Sequence, residues 1–340
     1  THWKHGGIVG VTGYGVGVIG RYSDVPEQVS KYRVFPHLPC KSPQRLVFTT
    51  KALRQLCDVW EKYGSGMTNL HGSTGDIILL GAPTANLQPC FDALSDIGFD
   101  LGGSGSVLRT PTGCVGPARC EYACIDTLDI IYDLTMEFQD ELHRPRWPYK
   151  SKIKASGCPN DCVAAIARSD FTIIGTWRDN LRIDQAAVRE YVKSGFDIKT
   201  IVIDKCLTRA LEWDDKAAEL RLKPEDCVRC MHCINKMPKA LRPGLDRGAT
   251  LLIGSKAPLV KGAYLSWCWV PFMKMEPPYD NIKDIVDKVW DWWGTWQGQG
   301  KRIAELIERL GLKTFLRAMG LKPVPQMVYR PRANPYVFFD

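Results

Sequence analysis

Eight of the thirteen cysteines in this 340-residue chain fall into two sets of four, and their spacing constrains the fold more than any other feature. In the first set, the pair Cys114-x5-Cys120 is followed by the pair Cys158-x3-Cys162. In the second set, Cys206 precedes the run Cys227-x2-Cys230-x2-Cys233. Cysteines scattered at random would seldom form such tight groups. The chain is therefore expected to fold so that the four thiols of each set converge.

Four convergent thiolates suit a cubane iron–sulfur cluster, so we interpret both sets as [4Fe–4S] sites. The run Cys227–Cys233 has the ligand spacing of a bacterial ferredoxin, and Cys206 is the nearest candidate for its fourth ligand. In two-cluster ferredoxins a further cysteine precedes a proline; here Met237 precedes Pro238, so one cluster is expected in this segment. Two alternatives stay open, because four cysteines can also hold zinc and cysteines are common in apolar cores.

The C-x2-C-x2-C run also argues against a secreted disulfide protein, because cysteines at this spacing serve metals more often than bridges. Thiolates must stay reduced to bind iron, so a reducing cytoplasm is the expected location. The cysteines outside the two sets are interpreted as small core residues: Cys40, Cys57, Cys90, Cys124 and Cys268.

The composition is that of a globular protein, with 45% hydrophobic and 24% charged residues. A chain of 340 residues is expected to hold about two or three domains. No apolar run reaches the roughly 18 residues of a membrane span, and no charged-then-apolar leader predicts export. Because the chain begins at Thr1 without a methionine, we expect that an N-terminal segment is missing from it.

The formal net charge of +8 is spread along the chain and interleaved with acidic residues, which disfavours nucleic-acid binding. A polyanionic ligand is the other use for such charge, since guanidinium forks bind carboxylates bidentately. Arg109, Lys150, Lys152, Lys154 and Arg168 flank the two cysteine pairs of the first set, and Arg21 ends the glycine-rich opening of the chain. The three lysines alternate at strand period, so we expect them on one face of a strand. The alternative is a solvated face of an edge strand.

Apolar periodicity predicts a mixture of helices and strands. The predicted strands are Leu46–Thr50, Ile77–Leu80 and Phe171–Ile174. The predicted helices are Lys51–Glu61, Asp126–His143, Gln185–Lys193, Ile282–Trp296 and Arg302–Leu310. The four prolines between Pro323 and Pro335 predict an extended C-terminal arm, Pro323–Phe339, which either wraps a partner or packs on its own domain.

Several segments resemble one family. Cys-x5-Cys followed by Cys-x3-Cys is the pattern of sulfite and nitrite reductases that couple a [4Fe–4S] cluster to sirohaem. The segments that carry the closer resemblance are THWKHGG (1–7), GSGMTNLHGSTGD (64–76), GGSGSVLRTP (102–111) and CVRCMHCIN (227–235). Together they are similar to the α subunits of dissimilatory sulfite reductases, and the resemblance extends over essentially the whole chain.

The resemblance implies an α+β fold of the sirohaem sulfite reductase type, built from ferredoxin-like half-domains with an inserted [4Fe–4S] ferredoxin domain. The implied domains are a half-domain at 1–104, a cluster- and sirohaem-binding domain at 105–175 with 247–340 (which includes the C-terminal arm), and the ferredoxin insert at 176–246.

The implied cofactors are two [4Fe–4S] clusters and sirohaem, or its iron-free form sirohydrochlorin. The resemblance assigns to Cys162 the bridge between the first cluster and the haem iron. The expected macrocycle-binding residues are Arg21, His71, Thr74, Arg109, Lys150, Lys152, Lys154, Arg168 and Cys162. Among them Arg109 and the three lysines are also candidates for sulfite binding and proton supply, whereas His2 and His5 stay undecided.

The glycines of Gly15-x-Gly17-x-x-Gly20 match a dinucleotide-binding fingerprint, but the rest of that motif is missing. Cys40 stands where an acidic residue is expected, and Pro26 falls where the helix should run. We therefore reject nucleotide binding and expect these glycines to let the backbone pass close to the flat macrocycle.

The activity implied is the six-electron reduction of sulfite toward sulfide, or toward a trisulfide on a small carrier protein. Electrons would enter through the insert. The resemblance also implies an α2β2 assembly in which the carrier docks at a channel on the β side and the productive haem lies in the β subunit. An aromatic residue of the α chain would block the α macrocycle; Trp60 is a weak candidate and is equally interpreted as core.

Three other interpretations stay open. The chain could be an electron-transfer and scaffold subunit without turnover of its own, or part of an enzyme that works in the sulfur-oxidising direction. An assimilatory sulfite or nitrite reductase is the third, and the insert counts against it because those enzymes are usually single chains without one. The electron donor, the direction of the reaction and the iron content of the α macrocycle cannot be derived from the sequence.

Overall fold

A computed structural model describes residues 11–20, 37–41, 47–71, 75–256, 264–296 and 302–328. Within these ranges the α-helices are α1 (Thr50–Tyr63), α2 (Leu87–Asp96), α3 (Thr127–Glu137), α4 (Gln139–His143), α5 (Ala165–Arg168), α6 (Gln185–Lys193), α7 (His232–Lys236), α8 (Asp280–Gly294), α9 (Ile303–Leu310) and α10 (Leu312–Met319). Short 3₁₀ turns and one π-helical turn, Lys199–Ile203, join some of them.

Within the same ranges the strands are β1 (His37–Lys41), β2 (Thr68–His71), β3 (Asp76–Leu80), β4 (Asp100–Leu101), β5 (Thr112–Gly113), β6 (Ile153–Ser156), β7 (Phe171–Trp177), β8 (Arg182–Ile183), β9 (Leu211–Asp214), β10 (Glu219–Leu222), β11 (Leu241–Arg242), β12 (Arg247–Ile253) and β13 (Trp267–Met273). They form two larger and two small sheets.

The N-terminal part is a four-stranded antiparallel sheet in the order β2-β3-β1-β4, with α1 and α2 beside it. Its apolar cluster includes Leu56, Trp60, Leu79 and Leu94. Helix α1 and strand β3 were both predicted from their apolar patterns, and both predictions are confirmed.

The predicted strand at Leu46–Thr50 is wrong over its described residues. The hydroxyl of Thr49 accepts a hydrogen bond from the Ala52 amide at 3.1 Å, which caps α1, and Thr50 is already helical. Threonine is common in strands, but it is also favoured at the start of a helix, where its hydroxyl accepts a hydrogen bond from a backbone amide of the first turn. The β-branched residues of this run were therefore wrongly interpreted as a strand.

The central sheet has five strands in the order β13-β12-β7-β6-β5. Strands β5, β6 and β7 run parallel, whereas β7, β12 and β13 are antiparallel. All residues of β6 and β7 are buried, as expected for strands covered on both faces. Strand β6 lies between two neighbours, so the interpretation of residues 150–154 as a solvated edge strand is wrong.

Helices α3 and α8 build much of the core around this sheet. Trp147 contacts Trp290 and Trp293 with ring centroids 4.4 and 6.2 Å apart, and Phe138 meets Trp290 edge-on at 4.7 Å. The large aromatic rings join α3 and α8 to the sheet, and each buried ring contributes more apolar area than an aliphatic residue would. This core holds β5 and β6, the strands that lead into the first cysteine set.

The segment that follows β7 and precedes β12 in the sequence forms most of a third apolar cluster. This cluster includes Trp177 and residues from Leu181 to Leu241. Strand β7 ends at Trp177, which pairs with Arg247 at the start of β12. The Arg178 amide then donates to the Asp246 carbonyl at 2.9 Å, and the Arg178 guanidinium donates to the Asp246 carboxylate at 2.7 Å. The chain therefore leaves and rejoins the central sheet at one point, and the intervening segment packs its own core.

The helix predictions differ from the structure mainly at boundaries. Asp126–His143 is two helices, because Phe138 leaves helical geometry between α3 and α4. Helices α6, α8 and α9 match their predictions closely. Helix α10 was not predicted; it starts after Gly311, whose φ of +86° ends α9. The described part of the predicted arm, Pro323–Val328, has no helix or strand and contains a turn in which the Met327 amide donates to the Val324 carbonyl at 3.0 Å; the remainder of the arm lies outside the described residues.

Among the described residues, no helix combines the length and the apolar character needed to cross a membrane.

Candidate functional site

The four cysteines of the first set line one cavity of about 270 Å³. The rest of its wall is made of small or apolar residues: Gly113, Val115, Ala123, Ser156, Gly157 and Val163. The structure thus brings together Cys114, Cys120, Cys158 and Cys162, as their spacing predicted. Their role as metal ligands stays a prediction.

Parallel strands place two of these cysteines side by side. Cys114 follows β5 and Cys158 follows β6, and parallel neighbours end at the same edge of a sheet. The Gly157 amide donates to Cys114 Sγ at 3.1 Å. A Cβ at Gly157 would press on Ala123, and a Cβ at Gly175 on β7 would overlap the Gly157 carbonyl. Glycine at both positions lets the strands approach closely enough for the thiols to share a cavity.

The loop from Cys158 to Cys162 is held by Asp161, which the sequence analysis did not single out. Its carboxylate accepts hydrogen bonds from Ser156 Oγ at 2.7 Å and from the amides of Ala165 and Ile166 at 2.8 and 3.0 Å. The Asp161 backbone has φ of +48°. The two cysteines therefore stand on a tight turn before α5. The aspartate next to the second cysteine was the available sign, because Asp caps helices and tolerates this conformation.

Burial raises the pKa of Cys158 and Cys162, and the neighbouring thiols add to the effect. Cys120 acts on both cysteines, and Cys114 acts on Cys162, because each thiolate repels the next. Such a group of thiols is deprotonated only when a cationic centre compensates the charge. The donor set and the small residues of the wall fit an iron–sulfur cluster.

The four cysteines of the second set also line a common cavity, with an enclosed volume of about 30 Å³. Most of the other lining residues are apolar, including Leu181, Val202, Leu211 and Ile234. On the outer side Cys230 is exposed, and the side chains of Leu207 and Val228 are 88% and 61% exposed. The structure thus brings together Cys206, Cys227, Cys230 and Cys233 beside the surface of the insert.

Two left-handed residues turn the chain between these cysteines. Arg229 and Met231 have φ of +57° and +68°, and α7 follows with Cys233 in its first turn. Cys206 Sγ accepts a hydrogen bond from the Ala210 amide at 3.3 Å. Burial and the charges of Cys227, Cys230 and Cys206 raise the pKa of Cys233 to about 12. A cationic centre bound among these thiols would favour the thiolate form of Cys233.

Over the described part of the chain, no three His, Cys, Asp or Glu side chains come close enough to share one metal ion.

A row of cations leads to the first cavity along β6. Lys152, Lys154 and Ser156 alternate, so they share one face of the strand, and Ser156 lines the cavity. Lys154 is 2% exposed and its Nζ donates to the Val163 carbonyl at 3.0 Å. Burial lowers the pKa of Lys154, and the charge of Arg168 lowers it further.

The same row gathers residues that are distant in the sequence. Burial and the charges of Lys150, Arg109 and Arg302 lower the pKa of Lys152 to about 7. Burial and the charges of Lys152, Arg109 and Lys154 lower the pKa of His71. The structure therefore brings His71, Arg109, Lys150, Lys152, Lys154 and Arg168 into one electropositive region beside the first cavity.

Arg109 has a buried donor group that a bound ligand could use. Its Nη2 donates to the Gly105 carbonyl at 3.2 Å, whereas its buried Nε has no hydrogen-bond partner among the described residues. Burial lowers its pKa. A buried donor without an acceptor is costly, and a carboxylate of a bound ligand would satisfy it. The residues present therefore fit a polycarboxylate macrocycle.

An ion pair that the sequence did not reveal borders this region. Arg302 donates to both oxygens of Asp170, at 3.1 and 2.7 Å, and Asp170 is fully buried. Asp170 precedes β7 and Arg302 precedes α9, so the pair forms only after the chain folds. Its charges act on both Lys152 and Arg109.

Some predicted residues lie elsewhere. Trp60 is fully buried and its Nε1 donates to the Met67 carbonyl at 2.8 Å, so the alternative that it blocks the macrocycle is wrong. Gly15 and Gly17 pack against Pro145 and Leu101, so protein contacts account for their lack of a side chain and the expected contact with a macrocycle is not needed. The predicted residues Arg21, Thr74, His2 and His5 lie outside the described residues.

Two protein-family models match the chain. Residues 104–326 match the nitrite and sulphite reductase 4Fe-4S domain, and residues 34–97 match the nitrite/sulfite reductase ferredoxin-like half domain. Fold and site together define a protein of the nitrite and sulfite reductase class, and the α+β fold of ferredoxin-like half-domain and 4Fe-4S domain is confirmed.

Individual relatives are more specific. The chain is 49% identical to the dissimilatory-type sulfite reductase subunit α of Nitratidesulfovibrio vulgaris, across 100% of this chain and 81% of that protein. A crystal structure of dissimilatory sulfite reductase I superposes with a TM-score of 0.90 and 47% identity, across 100% of this chain and 81% of the other. The chain belongs to the α-subunit family of dissimilatory sulfite reductases, which are oxidoreductases. The corresponding β subunit of Archaeoglobus fulgidus is also a homologue, with 23% identity across 85% of this chain and 80% of the β subunit.

Proposed function

We propose that this chain is the α subunit of an enzyme that reduces sulfite, either to sulfide with six electrons or to a trisulfide on a small carrier protein whose thiols supply two of the four electrons then needed. One observation supports the proposal above the others. A cavity lined by four thiols lies at the end of a buried row of cations, and this is the arrangement that a cluster coupled to a polycarboxylate macrocycle requires.

We assign one [4Fe–4S] cluster to each of the two groups of four thiols. Cys114, Cys120, Cys158 and Cys162 would hold the first, and Cys206, Cys227, Cys230 and Cys233 the second. The zinc alternative is disfavoured because the matching domain is a 4Fe-4S domain and because the C-x2-C-x2-C run is typical of clusters. By family resemblance Cys162 would also hold the sirohaem iron. When bound, sirohaem and its cluster supply electrons to a sulfur oxyanion.

The residues of the cation row would bind the carboxylates of the macrocycle and supply protons for the reduction of sulfite. Arg109 Nε would donate to a macrocycle carboxylate, and Lys154 would stay fixed by its bond to the Val163 carbonyl. Lys152 has a pKa of about 7 without a ligand, so its Nζ can take up a proton near neutral pH when an anionic ligand binds. His71 and Arg168 complete the positive wall, and Lys150 adds charge at its outer end.

We infer a division into a half-domain at 1–104, a cluster- and sirohaem-binding domain at 105–175 with 247–340, and a ferredoxin insert at 176–246. Three separate apolar clusters support this division. The pairing of Trp177 with Arg247 marks where the insert leaves and rejoins the sheet. Electrons would enter through the insert, because Cys230 stands at its surface.

The proposed assembly is an α2β2 heterotetramer in the cytoplasm, supported by the α and β names of the relatives. The productive haem is placed in the β subunit with α residues completing its site, and the carrier protein docks at the β-side channel. The α macrocycle is proposed to be sirohaem or its iron-free form.

Turnover of the purified α2β2 complex tests the proposal. Under anaerobic conditions, oxidation of a reduced viologen should depend on sulfite and approach six electrons for each sulfite that is converted to free sulfide. With the carrier protein present it should fall toward two electrons for each sulfite converted to the trisulfide, because the two carrier thiols supply the other two. A complex that binds both clusters but never oxidises the viologen with sulfite would instead identify an electron-transfer and scaffold subunit.

A further inference from the structure

Two asparagines join the two cysteine sites. Asn160 lies between Cys158 and Cys162 of the first set, and Asn235 follows Cys233 of the second. Asn160 Nδ2 donates to Asn235 Oδ1 at 3.2 Å, and Asn235 Nδ2 donates to Asn160 Oδ1 at 2.6 Å. The amides therefore form a reciprocal pair between two loops that are far apart in the sequence.

Each amide is carried by a stiff support. Asn160 adjoins Asp161, whose carboxylate is anchored by three hydrogen bonds. Asn235 lies in α7, where its backbone N–H donates to the Met231 carbonyl at 2.9 Å. The position of each side chain is thus set by the same backbone that places the neighbouring cysteines.

Apolar packing continues beneath the pair. Cys158 of the first set and Ile234 and Met237 beside the second belong to one buried cluster, and Cys233 packs against it. The two cysteine sites therefore share one apolar cluster and are also joined by the hydrogen bonds of the two amides.

Stability alone does not explain the pair. Both amides are exposed, and an exposed amide that loses its partner can bond to water at little cost. What the amide pair fixes here is geometry, because it links the loop that holds Cys158 and Cys162 of the first set to the segment that ends at Cys233 of the second.

We propose that the Asn160–Asn235 pair is a positioning contact that holds the two cluster sites at a fixed separation, and that electrons cross from the insert to the first site through it. The inference rests on the proposed function. In each step one electron leaves the second site, which is oxidised, and reaches the first site, which is reduced; no covalent bond forms or breaks. A low-potential reductant such as dithionite or a photoreduced flavin supplies the electron.

The test uses the intact α2β2 complex with Asn160→Ala, Asn235→Ala and the double variant. After rapid photoreduction in the absence of sulfite, freeze-quench electron resonance follows the signal of each site. We expect transfer between the sites to slow by about tenfold or more, the size typical of losing a residue that orients metal ligands. Iron content and the two reduction potentials should stay unchanged.

A double-mutant cycle separates this role from general loosening. If the amides act as one contact, the double variant should transfer electrons as slowly as either single variant and no slower. Asn281→Ala is the matched control: its exposed side chain makes one hydrogen bond, to the Lys274 carbonyl at 2.7 Å, on α8. That variant should transfer electrons at the unaltered rate.

Unaltered transfer in both single variants, with both sites loaded, would overturn the inference and leave the proposed function standing. Loss of iron from either site in both variants would also overturn it, because the pair would then support a site rather than set a separation. If the unaltered complex lacks a cluster at one of the sites, the proposed function itself fails.

Discussion

At the scale of single residues, Lys152 shows how burial sets the chemistry of the cation row. Desolvation is the largest cause of its low pKa, followed by the charges of Lys150, Arg109 and Arg302, while Asp170 opposes them. A buried amine that is surrounded by cations favours its neutral form. A bound polycarboxylate would reverse this balance, so the site is adapted to an anionic ligand.

This balance predicts a pH dependence of stability. The pKa of Lys152 is about 7 in the folded chain and 10.5 in the reference state, so between these values the unfolded chain binds the extra proton. Stability of the pigment-free complex should therefore rise with pH across this window. Lys152→Met should flatten the rise, as followed by thermal unfolding at several pH values. The control Lys199→Met removes an exposed lysine paired with Asp215 and should leave the slope unchanged; an equal flattening there would contradict the account.

Asp161 provides a second prediction at this scale. Asp161→Ala removes three hydrogen bonds from the loop between Cys158 and Cys162, and it places alanine at a φ of +48°. We expect a loss of about 1–3 kcal/mol of stability, together with iron loss at the first site only. Asp161→Asn should be milder because Asn tolerates this backbone conformation. Iron analysis with electron resonance checks both variants, and equal iron loss at the two sites would contradict the prediction.

At the residue scale, the sequence predicted the residues whose spacing is required by their chemistry. It did not predict contacts between residues that only folding brings together. The two cysteine sets and the strand-period lysines were visible in the sequence. The Asp170–Arg302 pair and the Asn160–Asn235 pair were not, because each joins segments that only the sheet topology brings together. Trp60 illustrates the converse, since an aromatic residue on an amphipathic helix faces the core by default.

At the scale of elements, the central sheet positions the first site by letting strands approach closely. Strand β7 carries Gly175 opposite the Gly157 carbonyl, where a side chain would overlap it. Short parallel strands β5 and β6 then bring two cysteines to the same edge. Periodicity located β3, β7 and the long helices, whereas the interior position of β6 followed from pairing that periodicity does not encode.

Gly175→Ala tests this arrangement. The added methyl group has to displace β6 or its loop, so we expect a loss of about 2–4 kcal/mol of stability and less iron at the first site. Gly294→Ala is the matched control, because a Cβ there meets nothing within 4 Å and the position ends α8. The control should change stability by less than about 1 kcal/mol. Chemical unfolding and iron analysis check both, and a harmless Gly175→Ala would refute the packing argument.

At the scale of the whole molecule, the insert is attached at one point and touches the first site at another. Its chain leaves at Trp177 and returns at Arg247, with Arg178 and Asp246 closing the base. Cys158 packs into the insert's own apolar cluster. This arrangement suits a relay that is formed separately but held close to its acceptor. The ferredoxin cysteine run and the family resemblance predicted the insert, whereas its contact with the first site required the structure.

Selective removal of ligands tests the independence of the two sites. Cys162→Ser should abolish the coupled signal of the first site and leave the second signal intact, whereas Cys230→Ser should do the reverse. Each thiolate is one of four ligands, and serine is a poor substitute in such a site. Electron resonance of the reduced α2β2 complex distinguishes the variants, and an unchanged coupled signal in Cys162→Ser would contradict the ligand assignment.

The most direct test of the central claim is an anaerobic absorption spectrum of the native α2β2 complex, with acid extraction of its pigment and an iron count. The account predicts a sirohaem-type tetrapyrrole together with enough iron for four-iron clusters in both cysteine cavities of this chain. A share of metal-free pigment would identify the iron-free form in the α site. A complex with iron but without any tetrapyrrole would contradict the account and reduce this chain to an electron carrier.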